Sequence, residues 1–159
     1  MALFVTRNPL INQYYEFIER RCKIYKKLDE GFESRSKIYK LFHGKEFYCI
    51  NISHTTALQL SVKFLEMVNI DDDGEEIDWE MYKEHIESEI KFVTCRIFDY
   101  KNKPLLYRLL YNYEYITEYK HSVWELDELN RHYCYLKEFM RENNIKENED
   151  THNELFRNQ

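Results

Sequence analysis

A chain of 159 residues with a net charge of −6 is long enough for one domain with its own core and no disulfide staples. Aromatic residues make up 16% of it, with 14 Tyr and 10 Phe, which excludes a disordered polar tract. Only 3 Gly are present and neither G-x-G-x-x-G nor G-x-x-x-x-G-K-[ST] occurs, which excludes the glycine-rich phosphate loops of nucleotide enzymes.

The chain opens MALFVTRNPLINQYY, an apolar patch broken at Arg7 with no secretory h-region. No apolar run approaches the ~18 residues of a spanning helix. A cytoplasmic protein with no membrane partner is the expectation, with Cys22, Cys49, Cys95 and Cys134 as reduced thiols. They form no C-x-x-C, so cysteine-bound metal is not expected. Ile, Lys, Asn, Tyr and Phe, all written with A/T-rich codons, are abundant, a bias that points to an AT-rich genome such as that of a virus or phage.

The first helix is predicted from Pro9, with Asn8 as its cap and Pro at the first helical position, where no N–H is needed. Ile11, Tyr14, Tyr15, Ile18, Cys22 and Tyr25 form its apolar stripe, and Gly31 stops it. A shorter helix follows over 34–42, with Ile38, Leu41 and Phe42 inward and Gly44 ending it. Residues 46–53, EFYCINIS, alternate as a strand. The stretch 57–69 fits either period and is assigned to helix, because its residues are helix formers and Thr56-Ala-Leu-Gln59 reads as a capping box. Asp78 caps a helix to about residue 90. FVTCRIF and the Tyr-dense LLYRLLYNYEYI read as two strands, and a capping box at Ser122 opens a last helix to about 143. The order ααβααββα predicts an α+β domain over 1–143, a small antiparallel sheet of three or four strands covered by helices, with a polar tail at 144–159.

Charge is uneven. Residues 20–45 carry nine basic against three acidic side chains, about +6, and residues 66–89 carry eleven acids against Lys83, about −10. The basic segment interleaves Arg20, Arg21, Lys23, Lys26, Lys27, Lys37 and Lys40 with Tyr25, Phe32, Tyr39 and Phe42, the residue types that track a phosphate backbone and stack on bases. The overall acidity, with a pI near 5.6, opposes that reading.

The acidic segment contains NIDDDGEEIDWE. With Gly74 sixth in a twelve-residue calcium loop, the ligands would be Asn69, Asp71, Asp73, Glu75 and Glu80. Asn stands where the first ligand should be Asp, the eighth position is Glu76 instead of an apolar residue, and no second loop occurs. A plain turn with Asp78 capping the next helix explains the same residues. Asp78 with Glu89-Ile-Lys91 resembles a nuclease metal set, but so short a pattern arises by chance in a chain that is 33% charged. No His stands in a recognised spacing with Ser or Cys, so no catalytic residue and no cofactor is assigned.

The reading that remains is a non-enzymatic protein-binding adaptor, inhibitor or regulator. Its expected interface is the Tyr-rich segment with Tyr107, Tyr111, Tyr113 and Tyr115, since interfaces favour large, rigid aromatic side chains with polar tips. Opposed charged segments add the expectation of a homodimer. Nucleic-acid binding through 20–45 and calcium binding through 69–80 are the alternatives.

Overall fold

The computed structural model describes residues 6–146, with the side chains of 113–115 outside the description. Its elements are helices α1 (Pro9–Glu33) and α2 (Lys37–Met67), strands β1 (Asn69–Asp71) and β2 (Gly74–Glu76), and helices α3 (Trp79–Lys101), α4 (Leu105–Leu110) and α5 (Asn112–Glu142). This corrects the expected α+β class. Among the described residues the only sheet is a two-stranded antiparallel hairpin, and helices form the body instead of covering a sheet. The stretches 46–53, 92–98 and 105–117, read as strands, lie in α2, in α3 and across α4–α5.

Local chemistry sets the ends of the helices. The Asn8 side chain accepts hydrogen bonds from the N–H groups of Leu10 (3.0 Å) and Ile11 (3.4 Å). Ser36 accepts from Tyr39 N–H (3.2 Å) and Asp78 from Met81 N–H (3.1 Å). The turn between α1 and α2 is three residues long, which forces an antiparallel pair. At the far end of α2 the β1–β2 hairpin turns the chain through Asp72 and Asp73, with Asp71 opposite Gly74. Gly74 has φ +130°, which L side chains rarely adopt. The hairpin also holds the start of α1: the Asn8 amide donates to the Glu75 carbonyl (3.1 Å), and Arg7 N–H donates to Glu75 Oε2 (3.0 Å).

Helices α2 and α5 pack on each other, α1 flanks α2, and α3 flanks α5. The core sits at the hairpin end. Tyr14 is fully buried there, with the rings of Phe64 (5.1 Å), Phe139 (5.4 Å), Trp79 (5.5 Å), Tyr82 and Tyr135 (both 5.8 Å) around it. Ile11, Ile18, Ile86, Leu136 and Met140 complete it. The same antiparallel order sends the last half of α1, the first third of α2, the end of α3, α4 and the start of α5 to the opposite end. There, residues 23–50 and 94–120 contain no buried side chain among those described.

Gly31 and Gly44, read as helix stops, both lie inside helices, and a Cβ at either would meet nothing within 4 Å. Helix-interior glycine costs roughly 0.5–1 kcal/mol relative to alanine. Gly31→Ala and Gly44→Ala are therefore each expected to stabilise the fold by that amount, measured by urea denaturation. A loss at either position would mean that its helix is not continuous in solution.

Candidate functional site

The described residues hold three polar clusters and one open apolar end. Chemistry decides between them.

In the first cluster, Glu128 on α5 is 1% exposed. Arg21 grips it with two nitrogens (3.2 and 2.9 Å), His132 Nε2 lies 2.9 Å away, and the Tyr25 hydroxyl donates to it. Burial alone would push the Glu128 carboxyl up; the hydrogen bonds from His132, Arg21 and Tyr25 overcome that and hold it down at about 2. A carboxylate saturated in this way is a clamp between α1 and α5. It has no lone pair left for acid–base work.

The second cluster runs from Tyr48 to Arg96. The Tyr48 hydroxyl is 3.3 Å from His121 Nδ1, and His121 Nε2 is 3.7 Å from Glu125, beyond hydrogen-bond reach. Glu125 is engaged by Arg96, whose Nε donates to Ser122 Oγ (2.9 Å). The line has the residue types of a relay, but the His121–Glu125 separation is too long for the carboxylate to orient the imidazole.

In the third, Lys83 is 1% exposed on α3. Its Nζ stands 3.2 Å from Glu80 and 4.0 Å from Glu87, and Glu87 accepts from the Tyr133 hydroxyl (2.8 Å). It is a closed ionic knot beside the core.

The open end is different. Helix α4, LLYRLL, buries none of its residues: Leu105, Leu106, Leu109 and Leu110 are 67–70% exposed. On α2, Ile38, Leu41 and Phe42 are 71–82% exposed, whereas the helical spacing had them pointing inward. Phe98 on α3 joins them. Residues 23–50 and 94–120 carry twelve basic and seven acidic side chains, about +5, while the acids of 66–89 gather at the hairpin end. The polarity along the chain is thus polarity along the bundle. Between the starts of α2 and α5 the open end is cut by a cleft of about 730 Å³, walled by Gly44, Lys45 and Tyr48 on one side and Ile116, Lys120 and Trp124 on the other.

Comparison with protein-family models, with curated proteins and with solved structures finds no match to this chain. The site must therefore be judged on its own residues.

Of the nucleic-acid set, Lys23, Lys26, Lys27 and Lys37 are exposed without an ion pair among the described residues. Arg20 pairs with Glu16 (3.2 Å) and Lys40 with Glu33 (3.2 Å), and Arg21 turns inward to Glu128. Of the interleaved aromatics, Phe32 stacks on Phe47 (4.2 Å) and Tyr39 on His43 (4.2 Å), while Phe42 is exposed.

Of the calcium set, Asn69 and Asp71 lie on β1, Glu75 on β2 and Asp73 in the turn, where its N–H donates to Asp71 (3.0 Å). Glu75 is taken by Arg7 N–H and Glu80 by Lys83. Among the described residues no group of three or more His, Cys, Asp or Glu could hold a metal ion. Glu89 and Lys91 fall on helix α3 and not on a strand.

Of the interface set, Tyr107 and Tyr111 lie ring to ring at 4.9 Å, Lys103 sits over Tyr107 (5.1 Å), and Tyr111 is half exposed. The side chains of Tyr113 and Tyr115 lie outside the described residues. The leucines beside these tyrosines, and Ile38, Leu41 and Phe42, are the surface that sequence reasoning missed. The signal was present in the paired leucines of LLYRLL, which were read as part of a strand. Among the described residues no helix is long and apolar enough to cross a membrane.

Proposed function

We propose that the protein is a non-enzymatic protein-binding module, an adaptor, inhibitor or regulator, that docks its partner on the open end of the bundle. One observation carries the reading: α4 presents four leucines to solvent at an end of the bundle where no described side chain is buried, while the opposite end has a closed aromatic core. A contiguous exposed apolar surface rimmed by charge marks an interaction site. The polar clusters support the same reading: Glu128 is held by Arg21, Tyr25 and His132, Lys83 lies between Glu80 and Glu87, and His121 stands 3.7 Å from Glu125, too far to be oriented by it as a base.

Self-association through 105–117 is the weaker form of this reading. A two-fold axis there would set two surfaces of about +5 against each other, with the compensating acids at the far ends. A phosphate-binding reading has four free lysines in its favour, but leucine and isoleucine are the wrong neighbours for phosphate.

A photo-crosslinking amino acid at position 109, installed in the cells that make the protein, tests the proposal against the same probe at position 72 on the hairpin. A discrete protein adduct at 109, absent at 72 and lost in Leu105→Glu/Leu106→Glu, is the expected result. Equal labelling from both positions, or nucleic acid as the species captured at 109, would overturn it.

A further inference from the structure

Resting on the open-end reading, we infer that the cleft between α2 and α5 receives an acidic amphipathic helix from the partner protein. The shape comes first. The cleft is concave, and at Gly44 no heavy atom lies within 4 Å of a would-be Cβ, so an incoming backbone can approach one wall closely. An apolar helix face laid in a groove is the recognition mode that such a channel suits.

The lining comes second. Tyr48, Ile116 and Trp124 are 38–41% exposed, amphipathic or apolar anchors already partly desolvated, and Tyr and Trp are the residue types that dominate interface energetics. Charge comes third. Among the described residues the only charged ones lining the cleft are Lys45 and Lys120, on opposite walls, both exposed and neither in an ion pair with another described residue. Among the described residues no carboxylate lines it. Two free ammonium groups flanking an apolar floor select a ligand with apolar residues along one helical stripe and acids beside it, and they reject a basic one.

The alternatives fit less well. A lipid surface matches the sign of the charge but cannot enter a concave channel. A second copy of this chain would bring another surface of about +5.

The experiment uses fluorescence anisotropy with the full chain and two labelled 18-residue helical peptides. Both carry leucine at i, i+3, i+4 and i+7; one has glutamate at the other positions and the second has lysine. The glutamate peptide is expected to bind about tenfold or more tightly than the lysine peptide, the scale of two rim charge pairs counted as attraction in one peptide and repulsion in the other. In Lys45→Glu/Lys120→Glu the preference is expected to invert, and Gly44→Trp is expected to weaken both peptides while leaving the circular dichroism unchanged. Equal affinities, no binding, a preference unmoved by the double substitution, or capture of phosphatidylserine vesicles in place of either peptide would each overturn the inference. If it is overturned while the position-109 adduct persists, the cleft assignment falls and the protein-binding reading stands. If the adduct is also absent, the open end loses its assignment altogether.

Discussion

Truncation of Tyr14 to alanine is expected to cost about 3–5 kcal/mol, a large part of the stability of any domain this size. The residue is the hub at which all four long helices meet: Phe64 from α2, Trp79 and Tyr82 from α3, and Tyr135 and Phe139 from α5 surround it. Its removal leaves a cavity that five rings of fixed position cannot collapse into. The hydroxyl, close to that of Tyr82, has no hydrogen-bond partner of good geometry, so Tyr14→Phe is expected to be neutral or slightly stabilising. Urea denaturation of the two variants separates ring from hydroxyl. A cost below about 1 kcal/mol for the alanine variant would mean that the aromatic cluster is not the centre of the fold.

Glu128→Ala is expected to have an effect of similar size, about 3–5 kcal/mol, because it leaves the Arg21 guanidinium without its counter-charge and His132 Nε2 without its partner at the α1–α5 seam. The triple replacement Arg21→Met/Glu128→Leu/His132→Leu is expected to recover most of the loss, since an apolar set of similar volume removes the desolvation penalty along with the attraction. The same carboxylate gives the fold an acid limit. Its pKa, about 2, lies below the ordinary 4.5, so its contribution is complete above pH 4.5 and declines as the pH falls from there toward 2. In Glu128→Gln that part of the acid transition is expected to flatten. An unchanged acid-unfolding curve would show that the clamp carries no linkage.

Helix starts were legible because capping is written locally. Asn8-Pro9 and Asp78 stand where their side-chain oxygens meet the first free N–H groups. The core stripe Ile11, Tyr14 and Ile18 was legible from its spacing. The strands were not, because EFYCINIS alternates like a strand while forming part of a 31-residue helix. Its β-branched and aromatic residues are only weakly opposed to helix, and packing along α5 overrides the preference. Two hydroxyls read as caps turned out to serve helix interiors. Thr56 donates to the Ile52 carbonyl (2.9 Å), and Ser122 accepts from Arg96. The opposed charges were plain in the sequence, but their placement at opposite ends required the antiparallel order. The open end was hidden for a related reason: periodicity shows that Ile38, Leu41 and Phe42 share a face, and says nothing about whether a neighbour covers it.

The uneven distribution of packing also sets the clock of the molecule. Segments with few buried contacts open locally at little cost, while those around a dense core open only with the whole chain. A single helix, α2, spans both regimes, with its C-terminal half buried through Ile52, Ala57, Leu60 and Phe64 and its N-terminal third without a buried side chain. Motion at the two ends of this one rod therefore belongs to different timescales. An occupant of the open end would have to order that third of α2 as it binds, so part of its contact energy is spent on conformational entropy, and its arrival is felt along α2 as a slowing of motion.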